Sequence, residues 1–185
     1  MKSRIKKLEE RLVYSDEKNP WVKLYFDRVR FPDEREGYYN RIVEGDGKRG
    51  IAIMPISNTM VGLVCQFRYP VGKEMWEIPR GFGEFRDSRE DALRELREET
   101  GIQVMPEMLV DLGLIHPDSG ILATEVQLFA ARCDNVSGQE STRDVETADF
   151  RWFTIEKVSS LVEDAAITDS FTLCAFLRAR LRGLI

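Results

Sequence analysis

From Gly50 onward the chain shows the hydrophobic patterns of a β-sheet. Residues 51–56 form a nearly continuous apolar run, which predicts a strand buried on both faces. In residues 61–68, Val, Leu, Cys and Phe alternate with Gly, Val, Gln and Arg, which predicts a second strand. Three more segments have strand-like composition and predict further strands: Leu109–Ile115, Val126–Ala131 and Phe150–Phe153.

The first part of the chain follows a different pattern. Ile5, Leu8 and Leu12 have helical spacing, which predicts a short amphipathic helix. Residues 21–31 and 38–43 are rich in aromatic and β-branched side chains, with Pro, Asp and Gly between them. This combination predicts a β-hairpin.

Two helices are predicted after the first strands. Ser88–Thr100 is polar and compatible with a helix, and Gly101 is a natural C-cap. Ser170–Leu181 is predicted as the last helix, with an apolar stripe of four residues: Leu173, Cys174, Leu177 and Leu181. Strands on both sides of one helix, followed by another helix, indicate an α/β sandwich with a mixed sheet. We expect a single domain over 1–185, with 1–48 as an N-terminal extension and 49–185 as the core.

Composition narrows the class of protein. The chain has 185 residues, of which 43% are hydrophobic and 32% charged, as in one soluble globular domain. A net charge of −5 disfavours nonspecific binding to nucleic acid. We predict no signal peptide and no membrane partner, because no apolar run has the necessary length. The three cysteines are isolated in sequence, which fits a reducing, cytoplasmic location.

An acidic face on the first predicted helix indicates a metal site. Residues three and four apart are neighbours on a helix, so four carboxylates share this face: Asp91, Glu95, Glu98 and Glu99. Their mutual repulsion, near the negative end of the helix dipole, is costly unless a cation lies on that face. Oxygen ligands favour Mg²⁺, with Mn²⁺ as an alternative. The competing interpretation is a solvated face whose repulsion is offset by Arg94 and Arg97.

Residues 94–102, Arg-Glu-Leu-Arg-Glu-Glu-Thr-Gly-Ile, match position by position the second half of the Nudix box, R-E-U-x-E-E-x-G-U, where U is aliphatic. Residues 76–81 resemble the strand and loop that lead into that box. The first half departs from the family: Arg94 follows Gly81 by thirteen residues instead of fourteen. Asp87, or Arg86 depending on where the gap falls, replaces a Glu that in the family mainly braces the box arginine. We therefore expect an altered loop and a working site.

The chain also resembles one branch of that family, the ADP-ribose and nucleotide-sugar pyrophosphatases. The resemblance rests on four short stretches in the right order: residues 21–24, 50–55 and 66–68, and Pro117. It implies a Nudix-type α/β/α sandwich with an N-terminal β-hairpin extension. It also implies hydrolysis of a nucleoside diphosphate linked to a further group, most simply ADP-ribose or a nucleotide sugar, to a nucleoside monophosphate and a sugar phosphate.

The resemblance further implies a role for each matching residue. Glu95 and Glu99 would be the main metal ligands, Glu98 would share a further ion, and the backbone carbonyl of Arg80 would complete the site. Glu146 matches the general base, with Asp144 and Glu140 as alternatives in the same acidic loop.

Substrate contacts follow from the same resemblance. Arg68 would bind a phosphate, although a salt bridge on the strand face is the simpler alternative. Glu77 would contact a ribose or base. Trp21 and Tyr39 match positions that stack the nucleobase, one from each subunit of a homodimer; Tyr39 replaces a more usual tryptophan, so base preference stays open. His116 is interpreted as a loop residue.

Two other functions remain open. One is a Nudix pyrophosphatase acting on nucleoside triphosphates or dinucleotides, which the N-terminal extension with Trp21 disfavours. The other is a catalytically inactive nucleotide-sugar sensor, which the retained box glutamates disfavour. The enzyme with a small nucleotide substrate is the preferred interpretation.

Overall fold

A computed structural model of the protein describes residues 4–84, 87–133 and 147–185. The chain divides into two compact units, Met1–Arg49 with His116–Glu125, and Gly50–Ile115 with Val126–Ile185. Within the described ranges, every helix is too short or too polar to cross a membrane.

The first unit is built on one long strand. Its strands are β1 (Lys6–Glu9), β2 (Leu12–Asp16), β3 (Asn19–Arg30) and β4 (Glu36–Glu44). β4 pairs antiparallel with β3 along one edge, and β1 and β2 pair with the two ends of the other edge. The predicted hairpin is thus confirmed as β3 and β4. Residues 121–123 join the sheet beside β4, where Ile42 N donates to Ile121 O at 2.8 Å.

The predicted N-terminal helix is wrong, because this segment forms β1 and β2. A helix of about twelve residues is marginal in water and needs a buried apolar face. That face does not exist here, since Ile5, Leu8 and Leu12 are 46%, 38% and 48% exposed. Pairing with β3 satisfies the backbone N–H and C=O groups without burying these side chains.

The second unit contains a mixed sheet, as predicted. Its strands are β5 (Gly50–Ser57), β6 (Met60–Arg68), β7 (Lys73–Glu77), β8 (Arg80–Phe82), β9 (Leu109–Ile115), β10 (Val126–Arg132) and β11 (Thr147–Thr154). The order is β11-β6-β5-β10-β9, and β5 and β10 are parallel while the other pairs are antiparallel.

β5 and β6 are paired only next to the turn that joins them and diverge beyond it. The space between the diverging strands positions the candidate active site. They pair only near the turn, at Ile56 with Val61 and Ser57 with Met60. Further along, β7 pairs with β6 and β8 pairs with β5. The short link between β7 and β8, residues 78–79, therefore lies where the two central strands have diverged.

Helices cover both faces of this sheet. They are α1 (Ser88–Thr100), α2 (Ile155–Glu163) and α3 (Ser170–Leu181). Leu96 of α1 packs in one apolar cluster with Ile51 and Ile53, and Val158 of α2 and Ala175 of α3 pack in another with Ala52 and Met54. Because neighbouring strand residues face opposite sides, the result is the predicted α/β/α sandwich.

The ends of α1 and α3 agree with the sequence, but only half of the predicted apolar stripe of α3 packs against the core: Leu173 and Cys174 do, and Leu177 and Leu181 do not. Leu177 and Leu181 are 58% and 78% exposed, whereas the helix buries Thr172, Ala175, Phe176 and Ala179. Both stripes have helical spacing, so periodicity alone does not choose between them. The small residues allow the helix backbone to lie close to the sheet, and this packing decides the orientation.

Candidate active site

The turn that precedes α1 differs from the expected loop. Asp87 is the N-cap of α1, and its Oδ1 accepts from Arg89 N at 2.9 Å. It therefore does not replace the family's glutamate as the partner of Arg94, because its carboxylate satisfies a free N–H of the first helical turn. The Glu84 carboxylate lies 3.9 Å from Arg94 Nε. Sequence reasoning missed Glu84.

Arg94 donates hydrogen bonds to two carboxylates and to the main-chain carbonyl at the end of β8. It donates to Glu95 at 2.6 Å, to Glu98 at 2.7 Å and to the carbonyl of Phe82 at 3.0 Å. Glu98 is 46% exposed and turned to this arginine. The predicted acidic face is therefore divided, with Glu98 at the surface and Glu95 and Glu99 buried at 7% exposure each.

The β8 backbone lies directly against the buried carboxylates. A Cβ atom added to Gly81 would overlap the Glu95 carboxylate, so a side chain here would have to displace the far end of Glu95. One residue earlier, Arg80 N donates to Glu99 Oε2 at 3.3 Å. Close approach to Glu95 is what favours glycine at this position, since its φ is not in the left-handed region.

Both buried glutamates have raised pKa values. Burial, reinforced by the negative charge of Glu95, raises the pKa of Glu99 from its ordinary 4.5 to about 8. Burial also raises the pKa of Glu95, although the Arg94 guanidinium acts in the opposite direction. The protein thus supplies too little positive charge for two ionised carboxylates at this place.

A second buried charge cluster lies at the junction of β7 and β8. Glu77 is completely buried. Its carboxylate accepts from Arg68, with Nε to Oε2 at 3.1 Å and a further short contact from Nη2. It also accepts from Arg80, at 3.3 Å from Nε and 3.1 Å from Nη2.

This cluster changes the interpretation of two predicted substrate contacts. Arg68 forms an ion pair with Glu77 and keeps 23% of its side chain exposed. Glu77 has no exposed atom with which to contact a ribose or base. We replace that predicted contact with a positioning role, because a buried carboxylate is stable only when cations satisfy it.

A divalent cation fits the donor atoms at the α1 site. Among the described residues, no three His, Cys, Asp or Glu side chains converge as a ready-made metal site. Mg²⁺, however, usually binds through one or two carboxylates together with water and substrate phosphates. Glu95 and Glu99, each with a raised pKa, provide two such carboxylates, and Gly81 keeps side-chain atoms away from them.

Comparison with known proteins agrees with this geometry. A family model of the NUDIX domain matches residues 47–173, which is more than half of the chain. The chain belongs to the Nudix family. The family prediction made from residues 94–102 is therefore confirmed.

Several relatives are similar over most of the chain. An uncharacterised Nudix hydrolase of Schizosaccharomyces pombe is 34% identical over 145 residues, covering 74% of this chain and 68% of that protein. An ADP-ribose pyrophosphatase of Mycobacterium tuberculosis is 28% identical over 156 residues, covering 82% and 72%. A methanol dehydrogenase activator of Bacillus methanolicus is 29% identical over 160 residues, covering 83% and 82%.

A solved structure shares the fold. The crystal structure of an ADP compounds hydrolase superposes with a TM-score of 0.82, covering 98% of this chain and 96% of that chain at 16% identity. The Nudix-type sandwich is therefore confirmed, and together with the relatives it identifies this protein as a hydrolase.

The other predicted residues of this Nudix hydrolase lie elsewhere or outside the described residues. Trp21 and Tyr39 are 61% and 41% exposed in the first unit. Tyr39 pairs with Asp27, six residues along β3 from Trp21, so the backbone positions of the two residues are about 20 Å apart along the hairpin. His116 is exposed and outside any helix or strand, as predicted. Three predicted acids lie outside the described residues: Glu140, Asp144 and Glu146.

Proposed function

We propose that the protein hydrolyses the pyrophosphate bond of ADP-ribose or a nucleotide sugar, giving a nucleoside monophosphate and a sugar phosphate, with Mg²⁺ as cofactor. The observation that carries this proposal is the pair of buried carboxylates, Glu95 and Glu99, next to Gly81. Two under-compensated negative charges suit a substrate that arrives with divalent cations on its phosphates. The similarity to an ADP-ribose pyrophosphatase supports the substrate class.

In this proposal the cofactor is held by Glu95, Glu99 and the backbone carbonyl of Arg80, with Glu98 available for a further ion. A divalent cation bound there neutralises charge on the diphosphate oxygens and makes a bound water more acidic. Arg68 then leaves Glu77 and donates two N–H groups to a phosphate, for which a guanidinium is well shaped. Glu77 stays paired with Arg80 while this happens.

Glu146 is proposed as the general base. It accepts a proton from the attacking water, whose oxygen forms a new bond to phosphorus as the bond from phosphorus to the bridging oxygen breaks. The leaving phosphate carries away the electron pair of that bond. Such proton removal requires a carboxylate within hydrogen-bond reach of the water.

A homodimer is part of the same proposal. Because Trp21 and Tyr39 lie about 20 Å apart along one hairpin, they do not clamp the same base within one chain. Stacking a base between them requires one residue from each of two subunits. Their exposure, 61% and 41%, leaves both rings available for such a contact.

A hydrolysis panel tests the proposed activity. The substrates are ADP-ribose, GDP-mannose, UDP-sugars, dinucleotides and nucleoside triphosphates, each with and without Mg²⁺, with products identified by mass. Glu95→Gln and Glu99→Gln should abolish turnover, while Glu90→Gln, an exposed acid on the same helix, should leave it unchanged. A triphosphate or dinucleotide as the best substrate would replace the proposed specificity. No turnover of any substrate, together with tight binding of a nucleotide sugar, would indicate a sensor.

A further inference from the structure

The side chain of Arg80, the first residue of β8, contacts the N-terminus of α3. Besides its hydrogen bonds to Glu77, its Nη2 lies 3.5 Å from Asp169 Oδ1. Its guanidinium also lies over the ring of Phe171, 4.5 Å from the centroid, a distance typical of a cation–π contact. Both partners are at the N-terminus of α3.

The backbone of the same segment meets the carboxylates of α1. Arg80 N donates to Glu99 Oε2 at 3.3 Å, and Gly81 lies against Glu95. The preceding carbonyl, of Pro79, accepts from Ile53 N at 2.9 Å. A displacement of Arg80 would therefore move the groups that face both proposed metal ligands.

The N-terminus of α3 is itself firmly attached. Asp169 caps the helix, and its Oδ2 accepts from the N and Oγ1 of Thr172 at 2.9 Å and 2.7 Å. Thr172 Oγ1 in turn accepts from Ile78 N at 2.9 Å. Because Asp169 and Thr172 are 6% and 1% exposed, these bonds are protected from water. The β7–β8 link is thus connected to α3 at Ile78, and the first residue of β8 is connected to it through the Arg80 side chain.

We propose that Arg80 is a positioning residue and that Asp169 and Phe171 of α3 hold its side chain, thereby fixing the backbone that faces Glu95 and Glu99. This inference rests on the proposed function, since it assigns a role within the same site. According to this inference, α3 lies outside the Nudix box but affects how tightly the box binds a metal ion. The competing interpretation is that these contacts stabilise the fold and nothing more.

Variants of Phe171 separate the two interpretations. Phe171→Tyr keeps a ring beneath the guanidinium at this partly exposed position, whereas Phe171→Leu keeps apolar volume but removes the ring. Asp169→Asn keeps a capping side chain and removes the charge near Arg80. Ala179→Gly destabilises α3 at a buried position away from Arg80 and serves as the control.

Three experiments are carried out on each protein, giving four quantities. They are the Kd for Mn²⁺ by calorimetry, kcat and KM on the best panel substrate, and exchange of the Arg80 amide by NMR without metal. Loss of a partner that orients a metal ligand typically costs about 10- to 100-fold in metal affinity or activity. We expect Phe171→Leu and Asp169→Asn to raise the Mn²⁺ Kd by about that factor, to lower kcat with little change in KM, and to speed Arg80 amide exchange.

The controls give the opposite pattern. Phe171→Tyr should retain the wild-type values, and Ala179→Gly should lower Tm without changing the Mn²⁺ Kd. The inference is overturned if Phe171→Leu and Asp169→Asn lower only Tm, or if Phe171→Tyr fails as Phe171→Leu does. Wild-type protein that neither binds Mn²⁺ nor hydrolyses a panel substrate would instead contradict the proposed function. Amide exchange would still test the positioning in that case.

Discussion

Glu99→Gln should stabilise the metal-free protein above neutral pH while it removes activity. Glu99 is buried at 7% exposure and has a pKa of about 8. Glutamine has nearly the same shape, can still accept from Arg80 N and carries no charge. The substitution therefore removes the cost of an ionised buried carboxylate without opening a cavity.

The sign and size of the effect follow from the pKa values. Between pH 4.5 and about 8 the folded protein keeps a proton on Glu99 that the unfolded chain has released. The free energy of unfolding of the wild type therefore falls as pH rises through this window. At about 1.36 kcal/mol per pH unit, the full difference is about 5 kcal/mol above pH 8, as an upper bound. Glu99→Gln does not titrate and escapes this loss.

Urea unfolding in EDTA at pH 5 and pH 9 measures the effect. The stability of Glu99→Gln relative to wild type should increase between the two pH values by at least 1 kcal/mol. Glu98→Gln is the matched control, because Glu98 is 46% exposed and paired with Arg94 at the surface; its relative stability should not increase with pH. Relative stability of Glu99→Gln that is unchanged or lower at pH 9 would refute the reasoning. Near-normal turnover of this variant at limiting Mg²⁺ would refute the ligand assignment.

Three further predictions concern the site and the assembly. Gly81→Ala should destabilise the protein by about 1–3 kcal/mol in urea unfolding and reduce turnover, because its Cβ overlaps Glu95; Gly120→Ala, in an exposed loop, should change neither. Glu146→Gln should lower kcat by about 10²–10⁴ with little change in KM, and Glu140→Gln far less; the reverse order would move the base to Glu140. Sedimentation should show a dimer at micromolar concentration, and Trp21→Ala should raise KM; a fully active monomer would contradict the assembly.

The sequence predicted correctly two helices, α1 and α3, whose ends are marked by capping residues. α1 ends at Gly101, whose φ of 74° is the left-handed conformation that a C-cap glycine adopts readily. The role of Asp87 had a signal as well, since an N-cap Asp followed by Glu90 three residues later resembles a capping box.

The missed features depend on residues that are distant in the chain. Residues 6–9 and 12–16 are strands because the edge of β3 opposite β4 is free to pair with them, and nothing in their own pattern shows this. Arg80 and Asp169 are far apart in the sequence, with most of the core residues between them, so their contact follows only from the packing of α3. The full burial of Glu77 likewise depends on two arginines, one from β6 and one from β8.

The bond between Ile78 and Thr172 also bears on how the protein is made, because its partners are 94 residues apart in the chain. At typical synthesis rates of about 5–20 residues per second, Ile78 leaves the peptidyl-transferase centre roughly 5–20 s before Thr172 is added. We expect the β7–β8 link to be unsecured during that interval, so a nascent chain arrested before Ser170 should be cleaved by protease at residues 78–82, which the released protein should resist. The residues of the Nudix box are then all synthesised well before the bond that secures the neighbouring link is formed, so we expect the box to be complete in sequence before its surroundings are fixed.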